Sequence, residues 1–200
     1  MDVDFALGAV MALSRNQLNS IGGFEPLGGY LADDYQLGHR VFHQGGRIVL
    51  SPFVVACHEP IRGWGNAWSH QLRWARTVRA CKPVAFFFSI LANATLWPVL
   101  WCFFGNHAAL GSCACLLFRV GTAMDQQQRL MQSNHSYVYA WLIPVKDMLS
   151  AVIWAQSFIG NRIEWCGEQF RVLPGGTLIV ADGQSSAVVQ IPQDECVPER

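Results

Sequence analysis

Charge is scarce in this sequence. Of 200 residues, 14 are Lys or Arg and 14 are Asp or Glu, 14% in all, against about 25% in an ordinary soluble domain. The formal net charge is zero, so no basic excess recruits nucleic acid. From residue 83 to residue 118 there is no Asp, Glu, Lys or Arg at all. A disulfide framework is missing too. Cys57, Cys81, Cys102, Cys113, Cys115, Cys166 and Cys196 are odd in number, scattered, and partly inside apolar segments, which suits reduced packing thiols better than bridges. Cys113-x-Cys115 lacks a second ligand pair at finger spacing, so no structural zinc is expected there. The opening Met1-Asp2-Val3-Asp4 has neither a basic start nor a cleavage pattern, so no secretory signal is expected. What the chain has in plenty is aromatic area: 8 Trp and 12 Phe. Little charge with much aromatic surface is a composition that a membrane allows. The length suits one domain with an appendage.

Taken in order, residues 5–13 are a short apolar run bounded by polar residues and read as a buried strand. Ser14 is placed to cap a short helix over 15–21, which Gly22-Gly23 ends. Residues 24–30, with Pro26, Gly28 and Gly29, read as a loop. Asp33 or Asp34 then caps a helix running to about Gln44, with Tyr35, Leu37, Val41 and Phe42 on its buried side and Gly45-Gly46 closing it. Residues 47–55 read as a strand that Pro52 confines to an edge or a bulge. This order suggests the second half of an α/β domain.

Two adjacent carboxylates exceed what a helix cap needs. Asp33 and Asp34 are therefore candidates for a general base that takes a proton from an attacking hydroxyl. Residues 64–80 form an amphipathic helix: Trp64, Trp68, Leu72 and Ala75 recur on one face, and Arg73, Arg76 and Arg79 recur every three residues as a cationic stripe. Such a helix suits a bilayer interface, with Trp at headgroup depth and Arg toward phosphate; the alternative is an ordinary amphipathic helix on a soluble core. Guanidinium groups also clamp a leaving diphosphate, and an indole walls a sugar pocket.

Residues 84–104 are long enough to span, which takes about 20 residues, with Asn93 and Pro98 expected to kink or polarise the helix. Asn106-His107 reads as a tight turn. Residues 108–124 are a second, weaker segment in which Arg119 is expected to snorkel. The two form a candidate hairpin; the competing reading is a buried helical hairpin in a soluble protein. Residues 125–136 read as a polar linker. Residues 137–160 are a third apolar segment whose Lys146 and Asp147 argue for an interfacial or cavity-facing helix. In residues 161–181, Ile163 and Trp165, then Phe170 and Val172, alternate with polar residues, and Gly167 and Pro174-Gly175-Gly176 supply turns: a small β-hairpin. The polar residues from 182 to 200 read as a mobile tail.

Gly22-Gly23-Phe24, Ala32-Asp33-Asp34-Tyr35, Arg73-Trp74 and the run Trp165-x-Gly167-x-x-Phe170-Arg171-Val172 together resemble the C-terminal half of the ceramide glucosyltransferase family, closest to its bacterial, hopanoid-biosynthesis-associated branch. Each motif is short; their order and spacing over residues 5–180 carry the resemblance. It implies an inverting membrane transferase of α/β class: residues 1–82 the C-terminal part of a GT-A-like domain with an interfacial helix, 83–160 membrane-associated helices, 161–181 the β-hairpin, 182–200 the tail. The implied donor is a nucleotide-diphosphate sugar and the acceptor a lipid hydroxyl, of ceramide or hopanoid type. The family's third acidic motif falls on Asp33-Asp34, its base on Asp34. Its Gln/Arg-x-x-Arg-Trp motif falls on His70, Arg73 and Trp74, with His70 departing from the pattern. The implied location is a bacterial inner membrane with the catalytic part in the cytoplasm.

The family's nucleotide-binding strands and the acidic motif that holds its divalent metal, Mg or Mn, have no counterpart here; Asp2-x-Asp4 sits where a frayed end is expected. The chain thus resembles a truncated transferase, expected not to bind donor productively alone. A catalytically inactive scaffold or partner-binding fragment is the competing class, and a small channel a third. His39 and His43, spaced i and i+4, are a further metal candidate against a solvated helix face.

Overall fold

The computed structural model describes residues 3–55, 63–104, 106–131, 139–165 and 168–180. Among the described residues it is a mixed helical structure with one small three-stranded antiparallel sheet. The described residues fall into two compact units, one within Met1–Cys81 and Gly160–Arg200, the other Lys82–Ile159.

In the first unit, helix α1 (Arg15–Ser20) begins at a capping box. Ser14 Oγ accepts the Gln17 N–H at 3.3 Å, and Gln17 Oε1 accepts the Ser14 N–H at 3.2 Å, so two otherwise orphaned donors are satisfied. Gly22, at φ 89°, takes the chain out of the helix where another residue would be strained. Helix α2 (Asp33–His43) buries Leu37, Gly38 and Val41. Leu37 and Val41 join Ile21 and Leu27 in a core flanked by Leu13, Leu18 and Ile48. Tyr35 and Phe42, expected inside, are only half-buried. A Cβ on Gly38 would lie 2.2 Å from the Ala6 nitrogen; glycine there lets the N-terminal segment cross the helix.

Neither residues 5–13 nor residues 47–55 form the strands expected of them. A strand needs a ladder partner for its backbone groups. Among the described residues the sheet consists of β1 (Arg162–Trp165), β2 (Glu168–Val172) and β3 (Leu178–Val180), in that order, and neither segment pairs with it. The first instead packs across α2 at Gly38; the second leaves Val49, Leu50, Phe53, Val54 and Val55 exposed.

Helix α3 (Gly63–Cys81) has no fully buried residue, and Trp64 is exposed while Trp68, Leu72 and Ala75 are half-buried. The sheet is a three-stranded meander rather than a two-stranded hairpin. Ile163 faces Phe170 across β1–β2, and Val172 faces Leu178 across β2–β3. These four side chains are buried together, with Leu31 and Ala80 packed against them. The Trp165 side chain, Cys57, Cys166, Gly167, Cys196 and the tail at 182–200 lie outside the described residues.

In the second unit, α4 (Pro83–Phe88) and a 3₁₀ turn (Ser89–Ala92) are followed by α5 (Leu96–Trp101) and another 3₁₀ turn (Cys102–Phe104). The two halves meet at 56°, so the span over 84–104, expected to kink or turn polar at Asn93 and Pro98, is a bent pair. Asn93 makes the bend: its Oδ1 accepts the N–H groups of Thr95 (3.2 Å) and Leu96 (2.8 Å), and its amide donates to the Asp147 carbonyl at 2.8 Å. Helix α6 (Asn106–Met131) starts where a turn was expected and continues into the expected linker as far as Met131. An i,i+4 pair, Arg129 to Asp125 at 2.9 Å, supports that last stretch; residues 132–136 lie outside the described residues. Within α6, Ala108–Leu130 is 23 residues long and apolar enough to cross a membrane.

Helix α7 (Leu142–Ser157) packs its Trp154 among Phe86, Phe87 and Phe158, and the Trp154 indole N–H donates to the Phe86 carbonyl at 2.9 Å. Arg119 does not snorkel. It forms a two-pronged pair with Asp147, Nε to Oδ2 at 2.8 Å and Nη2 to Oδ1 at 3.0 Å, and Thr95 donates its hydroxyl to the same Oδ2 at 2.7 Å. Cys102, Cys113 and Cys115 are free thiols on exposed positions, not core packing.

Candidate active site

Asp33 and Asp34 lie in the first turn of α2, one step inside the cap position, which Ala32 occupies without a side-chain bond. The carboxylates do the capping from there. Asp33 Oδ1 accepts the Asp34 N–H at 2.9 Å, and Asp34 Oδ1 accepts the Tyr35 N–H at 2.7 Å; both donors are among those a helix start leaves without an internal partner. The second oxygen of Asp34 lies against Gly8: a Cβ there would sit 2.7 Å from Oδ2. Asp34 thus has one oxygen held by backbone and one packed close to Gly8, an approach that only a glycine allows. Asp33 is exposed and Asp34 half-buried.

His70, Arg73 and Trp74 lie on consecutive turns of α3. The rings of His70 and Trp74 are 5.8 Å apart between centroids and tilted by 38°. Trp74 is 59% exposed, so most of its face is open to a ligand; His70 and Arg73 are half-buried. The other two arginines of the stripe bond to backbone at the start of β1. Arg76 donates to the Arg162 carbonyl, and Arg79 donates to the Gly160 carbonyl at 3.1 Å. Burial, then the neighbouring Arg79 charge, holds the Arg76 pKa below the ordinary guanidinium value. These two fasten α3 to the start of β1.

The two motif segments share a support that sequence reading missed. The turn between β2 and β3 meets the loop before α2 on one side: the Leu31 N–H donates to the Gly176 carbonyl at 3.2 Å, the Leu178 N–H to the Gly29 carbonyl at 3.0 Å, and the Gln36 amide to the Gly175 carbonyl at 3.0 Å. Tyr30 and Thr177 form a β-bridge. On the other side, the Gly175 N–H donates to the Ala80 carbonyl at 3.0 Å. Pro174-Gly175-Gly176 signalled a turn, but nothing local named its partners.

The family resemblance implies a divalent metal held by an acidic motif. Among the described residues no three His, Cys, Asp or Glu side chains converge, and Asp33 and Asp34 each commit an oxygen to backbone. These residues do not fit such an ion. His39 and His43 form an aromatic edge contact at 4.2 Å, with Tyr35 stacked on His39 at 5.5 Å and Asp4 Oδ2 4.0 Å from His39 Nδ1; they line the face of α2 rather than a cation site.

No curated protein and no solved structure matches the chain. A family model does, from residue 1 to residue 178, a stretch that takes in the acid pair, the His-x-x-Arg-Trp helix and most of the sheet. The chain belongs to glycosyl transferase family 21, the ceramide glucosyltransferase family.

Proposed function

We propose that this chain serves an inverting transfer of a sugar from a nucleotide-diphosphate donor to a lipid hydroxyl, with Asp34 as general base. The observation that supports this best is the family match together with an acid pair in the first turn of a helix, in which Asp34 Oδ1 takes the Tyr35 N–H while Oδ2 faces Gly8. The lipid oxygen attacks the anomeric carbon from the face opposite the diphosphate. Asp34 takes the hydroxyl proton as that bond forms. The bond from the anomeric carbon to the diphosphate oxygen breaks, and its electron pair leaves with the diphosphate. Arg73 offsets the charge that develops there, which counts most where water is excluded. Trp74, with its open face backed by His70, walls the sugar or the apolar start of the acceptor. Asp33 holds the Asp34 backbone and with it the base.

The reaction runs at a membrane surface. The 23-residue apolar segment in α6 and the outward Phe and Trp side chains of α4 and α5 suit lipid contact, and a lipid acceptor is met where headgroups begin. A bacterial inner membrane with the site on the cytoplasmic side, where nucleotide sugars are made, fits this reading. The test uses membranes carrying the full-length protein, labelled nucleotide-diphosphate sugars, and ceramide or hopanoid alcohols in parallel. The expected product is a glycolipid of inverted anomeric configuration. A product of retained configuration, or label reaching only water, contradicts it.

A further inference from the structure

We infer that the β2–β3 turn is a positioning element for the transfer site, with Gln36, Gly175 and Gly176 as its working residues. The inference rests on the reading of Asp34 as the base. The turn stands between the two motif segments: Leu31, two residues before Asp33, hangs from the Gly176 carbonyl, and Ala80 receives the Gly175 N–H. Arg73 lies seven residues before Ala80 on the same helix, about 10 Å along its axis. Leu31 and Ala80 also pack on the sheet's buried side chains. The sheet therefore sets how far the acid-bearing turn of α2 stands from the end of α3.

The turn depends on glycine in two separable ways. Gly175 and Gly176 sit at φ 87° and 86°, where a side chain is strained. A Cβ on Gly175 meets nothing within 4 Å, whereas one on Gly176 lies 3.0 Å from Cys81 Sγ. Gly175 is thus the clean probe, because its replacement disturbs only the backbone. Gln36, one turn into α2, adds the direct link from the acid-bearing helix to the turn.

A positioning role lowers kcat at constant substrate affinity, since small misplacements of a base weaken the reacting geometry without removing a binding contact. The experiment measures kcat, KM for donor and acceptor, and melting temperature for the full-length enzyme in membranes or micelles. Gly175→Ala is expected to lower kcat about tenfold or more with both KM values near parent, and Gly175→Asn, which tolerates the left-handed region, to recover most of that loss. Gln36→Ala is expected to lower kcat by about threefold or more through the same loss of alignment, and it carries the test if Gly175→Ala fails to fold. A parental kcat per folded molecule in Gln36→Ala, or in Gly175→Ala with only melting lowered, overturns the inference, because that is what a purely structural turn gives. Asp34→Asn run alongside separates the two claims: if it keeps its turnover, the base assignment has failed, and the turn is judged on the Gly175 and Gln36 variants alone.

Discussion

Replacing Asp147 by leucine exposes the strongest electrostatic commitment in the second unit. Arg119 is the midpoint of the 23-residue apolar segment Ala108–Leu130. Its guanidinium gives two hydrogen bonds to Asp147, and Thr95 gives a third to the same carboxylate. Breaking a buried pair from one side costs about 3–5 kcal/mol, and an Arg at the centre of a membrane helix costs about 2.5–3.5 kcal/mol on insertion scales. The pair here keeps 26% and 14% of its side-chain exposure, so solvent screens part of that, and about 2–4 kcal/mol is expected. For a chain of this size that is a fall of about 5–15 °C in melting temperature. The reverse change, Arg119→Leu, leaves a lone carboxylate and is expected to cost a similar amount. The double change to Leu at both positions removes both charges and is expected within about 1 kcal/mol of parent. Thermal unfolding of the four proteins in detergent micelles forms the cycle, with an expected coupling of about 2 kcal/mol or more. Single changes that cost little, or a double change that costs their sum, refute the reasoning: the two charges are then solvated independently.

Gly38→Ala drives a methyl into the Ala6 backbone, and because the obstacle is main chain the N-terminal segment must lift off α2; increased amide exchange over residues 5–8 at a stability loss of about 1–3 kcal/mol checks it. Leu178→Ala empties a fully buried site between Phe170, Val172, Ile163 and their neighbours, and is expected to cost about 2–5 kcal/mol in denaturant unfolding.

Local chemistry made the helices of the first unit legible. Ser14 announced a helix cap, Gly22 and Gly45 announced helix ends, and the spacing of Leu37 and Val41 placed one face of α2 in the core. The alternation of Ile163, Phe170 and Val172 gave the sheet's buried side; its third strand was hidden because Leu178–Val180 is only three residues long. The two unformed strands failed for a non-local reason: an apolar run does not say whether a pairing edge exists. The bend at Asn93 was half legible. The residue advertised it, but its partner Asp147 lies 54 positions away. Arg119 misled for the same reason, since the carboxylate that captures it stands on another helix. At the candidate site the residue types of Asp33, Asp34, His70, Arg73 and Trp74 were readable from motif order. The close approach of Asp34 to Gly8 and the shared turn at Gly175-Gly176 were not, because such close approaches leave only a glycine as their trace.

The account's central claim is that Asp34 removes the acceptor proton. Its most direct measurement is turnover of Asp34→Asn against parent in membranes carrying the full-length protein, with melting temperature and donor binding measured on the same preparations. The predicted result is a loss of about 10²–10⁴-fold in kcat with melting and donor affinity unchanged. Turnover within a few fold of parent contradicts it.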